Sequence, residues 1–209
     1  MRKLNDQENF WTGEFRDNYI GRNSLERLLG PYTAMWSMIL RHCSSLPMTA
    51  FEMGCNIGGN LRALQNLSPA ISLTAIEINA KAAKIAQETM GPHTVIHNCS
   101  ILDFKCPENS FDLVFSCGVL IHQDPDCLPE IYKKLYSFSK KYILLSEYYN
   151  PTPVAIPYRN HENKLFKRDF AGEMMDMFPD LSLRAYDFIY RRDPVFSVDD
   201  CTWFLLQKN

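Results

Sequence analysis

Beyond residue 48 the chain alternates short apolar runs with segments of helical period, and this alternation constrains the fold more than any other feature. "MTAFEM", "SLTAIEI" and "TVIH" read as strands around the helical "GGNLRALQNL" and "AKAAKIAQETM"; "FDLVFSC" and "KYILLSEY" flank the helical "DCLPEIYKKLYSFS". A βαβαβ run followed by βαβ requires parallel strands, because each crossover must carry the chain back over the sheet before the next strand starts. "DFAGEMMDMF" adds a helix, and "LSLRAYDFIY" and "CTWFLLQK" add two final strands, expected as an antiparallel pair at the sheet edge. The expected fold is α/β: a mostly parallel seven-stranded sheet with helices on both faces and an antiparallel edge strand.

At 209 residues the chain reads as a single domain. Residues 1–47 form an N-terminal helical lid, 48–147 the core, 148–170 a loop, and 171–209 the C-terminal helix and strand pair. In the lid, "NSLERLLGPYTAMWSMILRHC" is helical in composition, but Gly30-Pro31 predicts a break into two helices. "NPTPVAIPYRNHENKLFKRD" carries Pro151, Pro153 and Pro157 without a clean period and reads as a loop of about 20 residues, a length typical of lids and binding loops.

Composition excludes several classes. Twenty-two basic and 24 acidic residues are interspersed, giving a formal net charge of -2 and no field to attract a polyanion, so nucleic acid is not an expected partner. No apolar run approaches a membrane span and the N-terminus lacks a signal-peptide core, so the expectation is a cytoplasmic chain with no membrane contact. The seven cysteines, Cys43, Cys55, Cys99, Cys106, Cys117, Cys127 and Cys201, show no CxxC spacing; they are expected as free thiols, and no metal site is expected. Oligomeric state leaves no signature in these residues.

The chemistry concentrates in "FEMGCNIGGN", residues 51–60, a glycine turn between a predicted strand and a predicted helix. In a doubly wound sheet, ligands bind at the carboxyl ends of the strands where the strand order reverses, and this first turn lies there. Glu77 ends the next strand, where an acid can accept hydrogen bonds from two ribose hydroxyls; alone it fits equally a solvated strand-end carboxylate. Asn56 stands where a dinucleotide turn has the glycine that lets a pyrophosphate approach, which disfavours NAD and FAD. Glu52, at the end of the first strand, suits a ligand's ammonium group, reached directly or through water, better than a pyrophosphate.

These features resemble motif I of class I S-adenosylmethionine-dependent methyltransferases, and three further segments match that family in order and spacing. "AIEIN" resembles its ribose-acid motif, and "NCSILDF" its adenine-packing segment, with Ser100 where many members carry an acid; "SFDLVFSCGVLIHQDP" resembles its fourth-strand motif and following loop. The flanks "FWTGEFRDNYIGRN", "SEYYNPTPVAIPYRNHENKLFKRDFAGEMMD" and "DDCTWFLLQK" resemble the methyltransferases associated with pseudaminic acid biosynthesis.

The resemblance implies a Rossmann-like fold, S-adenosyl-L-methionine as cofactor, and methyl transfer to O or N of a small polar acceptor such as a sugar, a nucleotide sugar or a nonulosonic-acid-related metabolite. It implies Gly54, Cys55, Asn56 and Gly58 around the methionine portion, Glu77 and Ile78 at the ribose and adenine, Ser100 and Ile101 at the adenine edge, and Cys117 and Gly118 beneath the sulfonium, with Glu52 as a further cofactor candidate through the ammonium. Without the usual acid, Ser100, Asn98 or water must serve the adenine amino group. Cys117 fits an inert core thiol as well.

His122, oriented by Asp124, is the candidate base, with Glu147 and Tyr149 as further catalytic candidates; His122 also fits a loop histidine that caps the next helix. Tyr158, Arg159, His161, Lys167 and Arg168 are candidates for the acceptor, the cations suiting a carboxylate or phosphate, although a solvated charge cluster explains them too. Trp11, Phe15, Tyr19 and Arg22 are candidates for a lid over the cofactor, or for a staple between the first helix and the core. Two rival readings are a sensor or partner subunit that binds the cofactor without turnover, and a nicotinamide oxidoreductase, which Asn56 disfavours.

Overall fold

The computed structural model describes residues 2–13 and 25–209; Phe15, Tyr19 and Arg22 lie outside the described residues. The chain opens with α1 (Asp6–Thr12), started by a capping box in which the Asn5 side chain accepts from the Glu8 amide while the Glu8 carboxylate accepts from the Asn5 amide. Helix α2 (Leu25–Leu40) follows. The core then alternates β1 (Thr49–Met53), α3 (Gly59–Leu67), β2 (Ser72–Ile76), α4 (Ala80–Thr89), β3 (Thr94–His97) and β4 (Phe111–Cys117). Two 3₁₀ turns, Leu120–His122 and Pro125–Cys127, lead into α5 (Leu128–Phe138) and β5 (Ser139–Glu147). The chain ends with β6 (Val154–Tyr158), β7 (His161–Lys167), α6 (Phe170–Met177), β8 (Leu181–Ile189) and β9 (Cys201–Lys208).

Seven strands form one sheet in the order β3-β2-β1-β4-β5-β9-β8. β1 pairs in parallel with both β2 and β4, so the order reverses at β1, and its carboxyl end with that of β4 opens the crevice at the switch point. β9 runs antiparallel to both β5 and β8, placing the edge strand β8 outside it.

The central strands are buried on both faces, and alternation sends neighbouring side chains to opposite cores. Ala50, Leu113, Phe115, Tyr142 and Leu144 pack with Trp36 and Ile39 of α2 and Leu61 and Leu64 of α3. Phe51, Met53, Val114, Ile143 and Leu145 pack with Ile131 and Leu135 of α5 and Met174 of α6. In α5 the buried residues Leu128, Ile131, Tyr132, Leu135 and Phe138 fall at three- and four-residue intervals, the stripe a helix needs to cover a sheet.

Two expectations are corrected. α2 runs unbroken through Gly30-Pro31. Pro31 removes one backbone donor, but the apolar face of Met35, Trp36, Ile39 and Leu40 is buried, and that packing outweighs one lost hydrogen bond. Residues 148–170 are not a structureless loop: β6 and β7 form a separate two-stranded antiparallel sheet. Its two-residue turn, Arg159-Asn160, has φ of 50° and 67°, the positive values a type I′ hairpin requires. The register shift between Ile156 and Tyr158 falls at Pro157, which cannot donate to a ladder. None of the seven cysteines forms a disulfide among the described residues.

Candidate functional site

Residues 54–58 form a turn in which Gly54, Asn56 and Gly58 have φ of 76°, 50° and 85°. Gly54 has no alternative, because a Cβ there would lie 2.7 Å from a Val119 methyl. Asn56 takes the left-handed conformation that glycine would otherwise supply, as asparagine tolerates. Gly58 caps α3, and since a Cβ on it would meet Ala86 of α4 only in ordinary contact at 3.5 Å, its left-handed backbone rather than space favours glycine.

The turn's amides are committed inward. Gly54 and Cys55 N–H both donate to the Ile76 carbonyl at 3.0 Å, Gly58 N–H donates to the Cys55 carbonyl, and Asn56 N–H donates to Glu77 Oε2 at 2.8 Å. Glu77 Oε1 accepts from Asn79 N–H at 2.9 Å, so one carboxylate ties the turn to the end of β2. A pyrophosphate-binding turn needs such amides aimed at the ligand. Here they are spent.

Glu52 is 1% exposed. The Trp36 Nε1–H donates to Asn60 Oδ1 at 3.1 Å, which fixes the Asn60 amide so that its Nδ2–H donates to Glu52 Oε1 at 2.9 Å. Among the described residues, Glu52 Oε2 is buried without a hydrogen-bond partner, as is Asn56 Oδ1. Burial, with Glu77 adding repulsion, pushes the Glu52 carboxyl up to about 8.

Two connected clefts meet at Gly54, Gly118, Val119 and His122. The narrow one is lined on the sheet side by Glu77, Ile78, Ser100 and Ile101, and on the other by Gln7, Glu8 and Trp11 of α1. The wide one, about 500 Å³, holds Glu52, Cys55, Asn56, Cys117, Tyr158 and Arg159. Gly118, at φ 65°, has nothing within 4 Å of where a Cβ would sit, so its lack of a side chain keeps the junction open. Burial first, and then the neighbouring carboxylates Glu52 and Glu147, push the Cys117 thiol far above its ordinary value, which leaves it without nucleophilic character at neutral pH.

His122, 8% exposed, is held by the β6-β7 hairpin rather than by its own loop. Its Nδ1–H donates to the Lys164 carbonyl at 2.7 Å; a carbonyl can only accept, so the neutral ring carries its lone pair on Nε2. The ring lies 4.4 Å from Trp11 and 4.9 Å from Tyr158, centroid to centroid. The expectation that Asp124 orients His122 is therefore corrected: Asp124 accepts from Asp126 N–H and starts the second 3₁₀ turn. Trp11 lines the narrow cleft.

Several other candidates stand elsewhere. Glu147 does not line either cleft; it accepts from Ser116 Oγ–H at 2.6 Å and from the Val119, Leu120 and Ile121 amides, so its carboxylate shapes the loop after β4. Burial pushes it up to about 7 against those bonds. Tyr149 is exposed and packs 5.8 Å from Phe204. His161 packs on Phe10 at 5.0 Å, and the Lys167 ammonium lies over Tyr148 at 5.4 Å. Arg168 pairs with Glu173 at 2.7 Å, and Glu173 also accepts from Tyr132 Oη–H, a tie between α6 and α5. None of these four lines either cleft.

Residue-by-residue reading missed Gln7, Glu8 and Gln123 in the narrow cleft, and Arg27, Tyr32, Tyr148 and Asp199 in the wide one. The capping pattern Asn5-x-x-Glu8 would have marked α1, but not where it docks. Among the described residues, no helix is long and apolar enough to cross a membrane.

A family described as a methyltransferase domain matches residues 50–141. Similar solved structures include the 1,6-didemethyltoxoflavin-N1-methyltransferase of Burkholderia thailandensis, crystallised with 1,6-didemethyltoxoflavin and S-adenosylhomocysteine. It is 12% identical, with a TM-score of 0.74 over 100% of this chain and 93% of its own. The magnesium protoporphyrin IX methyltransferase of Synechocystis, crystallised with SAM, is 14% identical, with a TM-score of 0.67 over 100% of both chains. A plantazolicin methyltransferase in complex with SAH is 14% identical, with a TM-score of 0.67 over 97% of this chain and 94% of its own. No curated protein matches in sequence. Residues 50–141 thus match the methyltransferase domain family, and the whole chain has the fold of the class I S-adenosylmethionine-dependent methyltransferases.

Proposed function

We propose that this protein binds S-adenosyl-L-methionine and transfers its methyl group to an oxygen or nitrogen of a small polar acceptor. The observation that carries the reading is a cleft that offers acceptors where a dinucleotide would need donors. The amides of Gly54, Cys55, Asn56 and Gly58 are spent internally, whereas Glu77 stands at a ribose position and Glu52 Oε2 is buried without a partner. Two ribose hydroxyls and an ammonium supply the donors such groups require, and a pyrophosphate supplies none.

When bound, the cofactor supplies a methyl group already activated by its positive sulfur, so positioning of the acceptor carries much of the acceleration. Glu52, Cys55 and Asn56 hold the methionine end, Glu77 and Ile78 the ribose, and Gly118 leaves room at the junction of the clefts. Across that junction, His122 Nε2 accepts a proton from a hydroxyl acceptor, its ring held by the Lys164 carbonyl and by Trp11 and Tyr158. The sheet-side walls hold the methionine end and the ribose; the opposite side holds the proton.

The acceptor is a sugar-like metabolite carrying a carboxylate or phosphate, such as a nonulosonic acid or nucleotide sugar, as the resemblance to pseudaminic-acid-associated methyltransferases suggests. Arg27 and Arg159 line the wide cleft beside Tyr148 and Tyr158, a lining suited to an anionic, hydroxyl-rich ligand. The test is calorimetry against S-adenosylmethionine, S-adenosylhomocysteine and NAD, then transfer of labelled methyl to a panel of nucleotide sugars, amino sugars and small acids. Tight NAD binding with no response to the other two ligands overturns the reading. Cofactor binding without any transfer favours a sensor.

A further inference from the structure

Of the side chains that sequence reasoning offered to the adenine amino group, the Ser100 hydroxyl is already engaged and Asn98 does not line the narrow cleft. The Ser100 hydroxyl donates to Glu8 Oε1 and accepts from Leu102 N–H at 3.1 Å and from an Arg2 guanidinium N–H at 3.4 Å. Asn98 is exposed, does not line the cleft, and spends its amide N–H groups on the Glu77 and Ile78 carbonyls. Glu8, on the opposite wall, accepts four bonds: from Ser100, from the Asn5 amide and two from Arg2. Burial alone would raise the Glu8 carboxyl, but those bonds hold it below the ordinary carboxylate range.

Gln7 is different. It lines the same cleft, is 7% exposed, and its Oε1 is buried without a hydrogen-bond partner among the described residues. Its amide orientation is fixed, because Nε2–H donates at 2.6 Å to the Asn163 carbonyl in β7, and a carbonyl can only accept. The hairpin therefore holds the amide by its nitrogen, and Oε1 is the end left for a ligand donor. A buried acceptor without a donor is costly, and a cleft that keeps one selects a ligand that brings an N–H or O–H to it.

We propose that Gln7 reads the base of the cofactor: its Oε1 accepts a hydrogen bond from the exocyclic amino group of adenine, in place of the acid that Ser100 lacks. The base is then recognised from the lid, and the hairpin sets the geometry through Asn163. This rests on the cofactor assignment above.

A double-mutant cycle tests it with S-adenosylhomocysteine and its 6-deamino analogue, in which the amino group is replaced by hydrogen and the ring nitrogens are retained. The wild-type protein is expected to bind S-adenosylhomocysteine about tenfold more tightly than the analogue. Gln7→Met is expected to lose about that factor for S-adenosylhomocysteine and to leave the analogue within about twofold. If Gln7→Met does not fold, Gln7→Asn keeps an amide but retracts it by one methylene, and the same loss of discrimination is expected.

A wild-type protein indifferent to the amino group overturns the proposal, as does a variant that keeps the preference. So does a collapse of the preference in Gln123→Met, since Gln123 carries the other side-chain amide in the cleft. If the wild-type protein binds neither ligand, the cofactor assignment itself fails, an outcome distinct from equal binding of both.

Discussion

The two walls of the cleft are built by different means. On the sheet wall the contacts are local: Asn79 to Glu77, Asn60 to Glu52 and Asn56 to Glu77 join residues 2, 8 and 21 positions apart, mostly through backbone fixed by strand ends. On the lid wall they are remote: His122 to Lys164, Ser100 to Glu8 and Gln7 to Asn163 span 42, 92 and 156 positions. The sheet wall is rigid because the parallel ladder holds it. The lid wall depends on α1 docking both on the hairpin, through Gln7 and Asn163, and on the segment after β3, through Glu8 and Ser100. In the proposed function the methionine end and ribose fall to the local wall and the proton to the remote one, and lids are drawn from the less stable parts of a fold.

The sharpest way to break that division is His122→Ala. Removing a base costs roughly 10²-fold or more in kcat, while affinity for S-adenosylhomocysteine is expected to stay near the wild-type value. Steady-state kinetics beside calorimetry separates the two. If affinity collapses and turnover of the bound complex does not change, His122 belongs with the binding wall.

Glu77→Ala probes the opposite wall. It is expected to weaken S-adenosylhomocysteine binding by about 1–3 kcal/mol, because ribose hydroxyls lose their acceptor and the Asn56 and Asn79 amides lose theirs. Calorimetry reads it directly, and unchanged affinity would remove Glu77 from the ribose site.

Glu52 gives this wall a pH signature. With the carboxyl at about 8 in the ligand-free protein, it holds a proton at neutral pH, and a bound ammonium favours the ionised form. Affinity is therefore expected to rise with pH up to about 8, by at most about tenfold per unit, with a proton released on binding. Stability of the ligand-free protein moves the other way. The folded state keeps a proton that the unfolded chain sheds near the ordinary 4.5, so this carboxyl makes stability fall as pH rises from about 4.5 to about 8. Glu147 adds to the fall up to about 7. Glu52→Gln is expected to flatten both profiles, in titrations across buffers and in Tm at pH 5 and pH 8. An unaltered affinity profile would place the ammonium elsewhere.

The same contrast explains what could be read from the residues. The sheet, its direction and the sheet wall were legible because strand alternation, the positive-φ turn and the strand-end Glu77 are local patterns. The lid wall was not. Nothing in "VAIPYRNHENK" announces a hairpin: Arg159 is an unusual residue at positive φ, and Pro157 interrupts the alternation. Arg168 and Glu147 read as site residues by type and position, but a neighbouring helix in one case and three loop amides in the other had a prior claim on their charge. Gln7 carried no signal, since its role depends on a carbonyl 156 positions away.

The smallest effect addresses the turn itself. Asn56→Gly is expected to change stability by no more than about 1 kcal/mol, because glycine relieves the left-handed backbone at φ 50° but gives the unfolded chain more freedom. Two causes could exclude a dinucleotide here, the Asn56 side chain or the inward commitment of the amides around it, and this substitution removes only the first. Gly54 and Cys55 would still donate to Ile76, and position 56 to Glu77, so the variant is expected to gain no measurable affinity for NAD by calorimetry. NAD binding by Asn56→Gly would assign the exclusion to a single side chain, and the turn would then be a dinucleotide site held shut by one residue rather than a wall committed to its own sheet.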